Sequence, residues 1–308
     1  MPAAGFEFDA FPAGGIPRKV SASAVRAVVK GIRAPAAVGR IIDRRRPEVV
    51  LGGGGYVGGP AVVAAARRGI PAALTEADAH LGLANRLAAP FAKRVFLSYP
   101  LPGRDRARYL VVGRPIPRRS LAVEGDRALA RTRFGLPPDG QVVLVCGGSL
   151  GSLRLNEAAT NAWGEEGPAV LHLSGERDYP MLAPRVHRPA YRLLPFTEDF
   201  GLALSAADLV VSRAGGVVWE IAAAARPALL VPYPYATADH QTKNARWFER
   251  GGGALLVEEP ALDLRSQAGS LLASPDRLVA MAEAMRRLAR PDAARTVANE
   301  LIALAESR

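Results

Sequence analysis

The chain has 308 residues, 49% hydrophobic and 22% charged, which excludes a disordered chain and, at about 100–200 residues per domain, predicts two globular domains. A single cysteine, Cys146, excludes a disulfide framework and a cysteine-based metal cluster, and the four histidines (His80, His172, His187, His240) lack ligand spacing. The net charge of +11 is concentrated: residues 1–113 carry 17 Lys and Arg against seven Asp and Glu, whereas the remainder carries 23 against 22.

The charged first third suits an anionic partner, whether nucleic acid, anionic lipid or a phosphorylated substrate; a solvated basic face is the plainer reading. Met1–Lys30 lacks the pattern of a secretory signal, and the apolar stretch Val49–Ala66 is too rich in glycine for a membrane span. The chain is therefore expected in the cytoplasm or on a membrane surface.

In chain order the pattern alternates strand and helix, the mark of an α/β architecture. Phe6–Phe11 alternates like a strand, and Ala22–Arg46 is helical in composition with Pro35 interrupting it. A short strand at Glu48–Leu51 runs into Gly52–Gly55, and Pro60–Arg68 reads as a helix with proline in its first turn. Strands are expected at Pro71–Leu74, Arg94–Ser98 and Tyr109–Val112, with a helix at Leu83–Ala92; Gly113-Arg114-Pro115 reads as an interdomain link. A second set follows: strands at Val142–Cys146, Ala169–Leu173, Tyr191–Leu194, Leu209–Ser212 and Ala228–Val231. Its helices are expected from about Arg154, at Val217–Ala225 and at Gln241–Arg250, and two more close the chain around Pro291.

Three strands end in glycines that lead into a helix, at 52–59, 147–151 and 215–216. Glycine lets backbone N–H groups approach an anion, and the helix N-terminus adds partial positive charge. Gly53, Gly55 and Gly58 fit G-x-G-x-x-G with Glu76 about twenty residues on, so a nicotinamide dehydrogenase is one reading. A second glycine-loop domain and the Gly59-Pro60 pair count against it.

The segments GGGGYVGGP (52–60), GGSLG (147–151), SRAGGVVWEIAAAARPALLVPYP (212–234) and ATADHQTKNA (236–245) together resemble the MurG family of glycosyltransferases. The resemblance runs from Phe6 to the C-terminus. It implies an α/β, GT-B fold, two Rossmann-like domains facing a cleft, with residues 1–113 binding an acceptor and 114–290 binding UDP-N-acetylglucosamine. Residues 291–308 would form a helix crossing back to the first domain. The implied reaction is inverting transfer of N-acetylglucosamine to the undecaprenyl-pyrophosphoryl-N-acetylmuramoyl-pentapeptide of peptidoglycan synthesis. It is expected at an anionic membrane surface on the cytoplasmic face of the plasma membrane, with no nucleic acid partner. No cofactor is implied, and no D-x-D triplet is present, so glycine N–H groups and helix termini are expected to hold the diphosphate. Another lipid acceptor, or a non-catalytic nucleotide-sugar-binding subunit, are the alternatives.

On the donor side the resemblance gives Glu220 the ribose diol, Gln241 the sugar hydroxyls, and Gly148 and Ser149 the diphosphate. Phe196 and Thr197 would read uracil, while Arg213, Gly215, Gly216 and Val217 form the diphosphate and sugar loop. Asn244 would order that loop. On the acceptor side it points to Gly54, Gly55, Tyr56, Glu76 and Asn85. The basic amphipathic stretch Val25–Ile42 would face the membrane, or else pack on a core with its polar side basic. Family members begin with a strand and a G-G-T-G-G-H loop whose His is a proposed base; this sequence starts near the third strand, at FEFDAF. The catalytic base is then unassigned, with Glu76, Asp78 and His80 the titratable candidates. A gap in the middle of the first sheet and no transfer by this chain alone are the corresponding expectations.

Overall fold

A computed structural model describes residues 5–11, 35–122, 126–148 and 151–307; the Val25–Ile42 stretch up to residue 34, and Ser149, lie outside them. The chain divides into two compact units, Met1–Val112 with Ala294–Arg308, and Gly113–Ala293.

In the first unit a helix over residues 35–45 (α1) leads to β1 (Val50–Gly52), α2 (Gly55–Ala66), β2 (Ala72–Glu76), α3 (Leu83–Ala88), β3 (Arg94–Leu97) and β4 (Tyr109–Val111). The strands form a parallel sheet in the order β1-β2-β3-β4. Parallel neighbours are joined by crossovers, whose helices cover one face, while the last helix covers the other, so residues alternate between two cores. Ala72, Leu74, Val95 and Leu97 pack with Val38 and Ile42 of α1 and Val62 and Ala65 of α2. Ala73 and Phe96 point the other way, onto Val297 and Leu304 of α12 (Ala293–Glu306). Arg94 Nε donates to Glu300 Oε2 at 3.0 Å and fixes the axial position of that helix.

The strand expected at Phe6–Phe11 does not form. Residues 6–11 run as irregular chain, with Phe6 and Phe8 exposed, Glu7 ion-paired with Arg45, and Asp9 with Arg44 and Arg45. Alternation makes a strand only where a neighbour completes the ladder, and here ion pairs take the acidic residues instead. The described sheet has no central gap either: its four strands pair in chain order, and β1 lies at an edge with Leu51 40% exposed. The helix expected from Pro60 starts at Gly55, so Pro60 sits inside α2. A Cβ on Gly58 would come within 3.2 Å of the Gly52 backbone. That glycine therefore serves close packing of α2 on β1 rather than a free phosphate loop.

The second unit contains α4 (Arg127–Arg133), β5 (Val142–Cys146), α5 (Leu153–Trp163), β6 (Ala169–Leu173), α6 (Tyr179–Leu182), β7 (Tyr191–Leu194) and α7 (Phe200–Ala206). It continues with β8 (Leu209–Ser212), α8 (Val218–Ala223), β9 (Ala228–Leu230), α9 (His240–Arg250), β10 (Ala254–Leu256), α10 (Leu264–Leu272) and α11 (Pro275–Leu288). All six strands are parallel, in the order β10-β9-β8-β5-β6-β7. The chain enters at β5 in the middle, steps outward to β7, then returns to β8 on the other side of β5. Val143, Val145, Val211 and Leu229 of the central strands pack with Leu155 and Trp163 of α5 and Leu271 of α10.

Candidate functional site

In a doubly wound sheet, connections leave the two central strands toward opposite faces, and a crevice opens beyond their C-terminal ends. Here those strands are β5 and β8. A cavity of about 420 Å³ lies at their ends, within the range of about 300–1,000 Å³ found for small-molecule sites. Of the ten donor residues expected from sequence, Gly148, Phe196, Thr197, Arg213, Gly215, Gly216, Val217, Glu220 and Gln241 line it. The tenth, Ser149, lies outside the described residues.

The turn after β5 places Gly147 and Gly148 at the cavity wall and ends at Ser152, which begins the 11-residue α5. Arg213, which follows β8, is buried and binds inward. Its Nε donates to Ser152 Oγ at 2.8 Å, its Nη1 to the Val231 and Pro232 carbonyls at 3.2 and 3.1 Å, and its Nη2 to Glu259. Most of its five N–H groups are thereby used, so it ties the β8 loop to the β5 loop and presents little free charge. Asn244 Nδ2 donates to the Ala214 carbonyl at 3.1 Å, fastening the same loop to α9. Gln241 Oε1 accepts from the Tyr233 N–H at 2.9 Å, and its Nε2 points toward Gly215. Cys146 also touches the cavity, but burial pushes its thiol up to about 11, so it stays protonated.

Glu220 sits on the first turn of α8, half-buried. Burial raises its carboxyl above the ordinary range, partly opposed by the Ser120 hydroxyl and the positive charges of Arg114 and Arg119. These three neighbours also line the cavity. The Arg114 guanidinium occupies the space a side chain at Gly216 would fill. Sequence reading placed Arg114 in a link and passed over Arg119 and Ser120. Their signal was faint: a basic run after a Gly-Arg-Pro turn, whose relation to α8 only the folded chain supplies.

In the first unit, Gly54 caps α2, and Gly55 is its first residue. The side chain of Tyr56 is not among those described. Glu76 is buried at the end of β2, and its carboxylate accepts from the Gly82 N–H at 2.9 Å, Asn85 Nδ2 at 2.9 Å and the Asp78 N–H at 3.4 Å. Asn85 Nδ2 also donates to the Thr75 carbonyl at 2.9 Å. Glu76 and Asn85 thus shape the loop between β2 and α3, which carries Asp78 and His80.

Residues 1–97 match the glycosyltransferase family 28 N-terminal domain and residues 142–297 its C-terminal domain. A UDP-N-acetylglucosamine–N-acetylmuramyl-(pentapeptide) pyrophosphoryl-undecaprenol N-acetylglucosamine transferase of Salinibacter ruber is 38% identical over 99% of this chain and 85% of its own length. The protein of the same name from Rubrobacter xylanophilus is 38% identical over 98% of this chain and 90% of its own. The crystal structure of Acinetobacter baumannii MurG superposes with a TM-score of 0.72 at 28% identity, covering 92% of this chain and 81% of that one. The two parallel-sheet units are those of the GT-B fold, and the chain belongs to glycosyltransferase family 28, in its MurG branch.

Proposed function

We propose that the chain transfers N-acetylglucosamine from UDP-N-acetylglucosamine to the undecaprenyl-pyrophosphoryl-N-acetylmuramoyl-pentapeptide acceptor of peptidoglycan synthesis, inverting the anomeric carbon. The observation that carries this reading is the cavity beyond β5 and β8, which offers one kind of group for each part of a sugar nucleotide. Phe196, exposed at the rim, and Thr197 face the base. The Glu220 carboxylate suits the ribose diol, because it can accept two hydrogen bonds. The backbone N–H groups of Gly147 and Gly148 suit the diphosphate, and the free Gln241 Nε2 suits a sugar hydroxyl.

Transfer breaks the bond from the anomeric carbon to the β-phosphate oxygen and forms one to the acceptor oxygen. Negative charge grows on the leaving phosphate, where Arg114 and Arg119 would offset it. The acceptor hydroxyl proton must pass to a base. Three N–H donors hold the Glu76 carboxylate, so Asp78 and His80 are the candidates left on that loop. Gly54 and Gly55 at the start of the 12-residue α2 suit the acceptor pyrophosphate.

Peripheral placement on a membrane surface, which the family reading puts at the cytoplasmic face, is supported by α3 and the turn after it. Leu83, Leu87 and Phe91 are 56%, 66% and 48% exposed, beside exposed Arg86 and Lys93. Apolar residues flanked by cations are what an anionic interface takes up. No helix among the described residues is long and apolar enough to cross a membrane.

Calorimetry with UDP-N-acetylglucosamine tests the donor assignment. Two charge-assisted hydrogen bonds to ribose contribute about 1.5–3 kcal/mol, so Glu220→Ala is expected to weaken binding at least about tenfold. Unchanged affinity would remove Glu220 from the site.

A further inference from the structure

Behind the glycine turn lies a buried polar chain that touches no part of the cavity. Asn156 on α5 and His172 on β6 are both fully buried. Asn156 Nδ2 donates to the Ser174 carbonyl at 2.9 Å and to Asp178 Oδ2 at 3.0 Å, which fixes the orientation of its amide. Its Oδ1 lies 3.0 Å from His172 Nε2, and His172 Nδ1 lies 2.8 Å from the Tyr191 hydroxyl on β7. Because Oδ1 can only accept, His172 carries its proton on Nε2, and Nδ1 accepts from the Tyr191 O–H. Burial holds the imidazole down at about 3, so it stays neutral and the direction of the chain is set. Asp178 is in turn clasped by Arg177, whose Nε and Nη2 donate to it at 2.7 and 3.0 Å.

The far end of this chain bears on the turn. Gly151 has φ +73°, and a Cβ there would lie 2.1 Å from the Ser174 carbonyl oxygen and 3.4 Å from Asp178 Oδ2. The Gly151 backbone is therefore seated on the two acceptors that Asn156 holds in place. Ser152 follows at once, with its Oγ taken by Arg213.

We propose that Tyr191, His172 and Asn156 are positioning residues which, through Ser174 and Asp178, set the turn after β5 to receive the donor diphosphate. The proposal rests on the assignment of the donor to this cavity. The network also bears on the strand that leads to Phe196, because Ser174 Oγ donates to the Leu194 carbonyl at 3.3 Å and Tyr191 lines a side cavity with Phe196 and Thr197, so the role given to the turn shows as a loss larger for UDP than for uridine. UDP and uridine separate the two effects, since both need Phe196 and Glu220 but only UDP needs the turn.

The test is calorimetry of UDP and uridine on the full chain and on Tyr191→Phe, His172→Gln and Asn156→Ala, beside thermal unfolding of each. Tyr191→Phe removes one oxygen and keeps the ring, so it is the variant that stays folded. Its expected result is a UDP affinity lower by about threefold or more, with a smaller loss for uridine. In Asn156→Ala the expected loss for UDP is about tenfold or more. His172→Gln, whose terminal amide can still donate to Asn156 Oδ1, is expected to keep UDP affinity close to that of the unaltered chain. Equal losses for UDP and uridine, or unaltered UDP affinity in folded Tyr191→Phe, would overturn the proposal. Failure of the unaltered chain to bind UDP would instead overturn the donor assignment.

Discussion

Glu220, which we propose binds the donor ribose, is costly to the fold. Its carboxyl is raised by burial, so ionising it costs more in the folded chain than in the unfolded one. For a raised acid, the stabilising contribution is present below the ordinary carboxyl range and is lost as pH rises through the folded value. Glu220→Gln should therefore raise the unfolding midpoint near neutral pH, show no gain in acid, and weaken UDP binding throughout. Thermal unfolding across pH checks this; an equal shift at every pH would refute it. His172 runs the other way. It is neutral when folded, with its value held at about 3, whereas the unfolded chain takes up a proton below about 6.5. Stability is then present above about 6.5 and falls as pH drops toward 3, by an amount on the order of several kcal/mol at the acid end. Asp178, lowered chiefly by its bond to Arg177, adds to that loss in the same direction. Urea unfolding of the unaltered chain between neutral and mildly acid pH should weaken more than that of His172→Gln. Parallel losses would contradict the role given to burial.

At the scale of elements, the entry to α9 is strained. Ala238 and Asp239 both have φ near +54°, in the left-handed region, just before the helix that carries Gln241. Such a conformation costs about 1–2 kcal/mol in a residue with a Cβ, so Ala238→Gly should raise stability by about 1 kcal/mol. Chemical denaturation measures it, and no gain would mean that the loop relaxes the strain elsewhere. The elements best read from sequence were β5, β6, β7 and β8, mostly apolar runs of four or five residues closed by glycine, serine, proline or arginine. Phe6–Phe11 misled because period-two alternation carries no information about a neighbouring strand. The start of α2 was read too late because Gly58 and Gly59, which pack that helix closely, look like glycines that free a loop. The strand β10 was passed over, being three residues of a short apolar run. At the site, the residues of the glycine loops were legible; Arg114, Arg119 and Ser120 were not, because segments far apart in sequence bring them to Glu220. The same holds for His172, one of four scattered histidines without ligand spacing.

At the scale of the whole molecule, charge and catalysis divide along the chain. The basic excess of residues 1–113 should draw the chain to anionic bilayers, each cation near the surface contributing about 1 kcal/mol. Sedimentation with anionic vesicles is expected to show binding that weakens with salt. Leu87→Glu should reduce it further; binding to neutral vesicles just as strong would contradict the charge argument. The doubly wound order of the second sheet puts its switch point between β5 and β8, the place we propose for the nucleotide. Hydrogen exchange of the full chain with and without UDP-N-acetylglucosamine tests that placement most directly. The expected result is slowed exchange in the turn after β5, around Arg213–Glu220 and at the start of α9, with the 52–59 segment unchanged. Protection centred on the 52–59 glycines, with the turn after β5 unaffected, would contradict it.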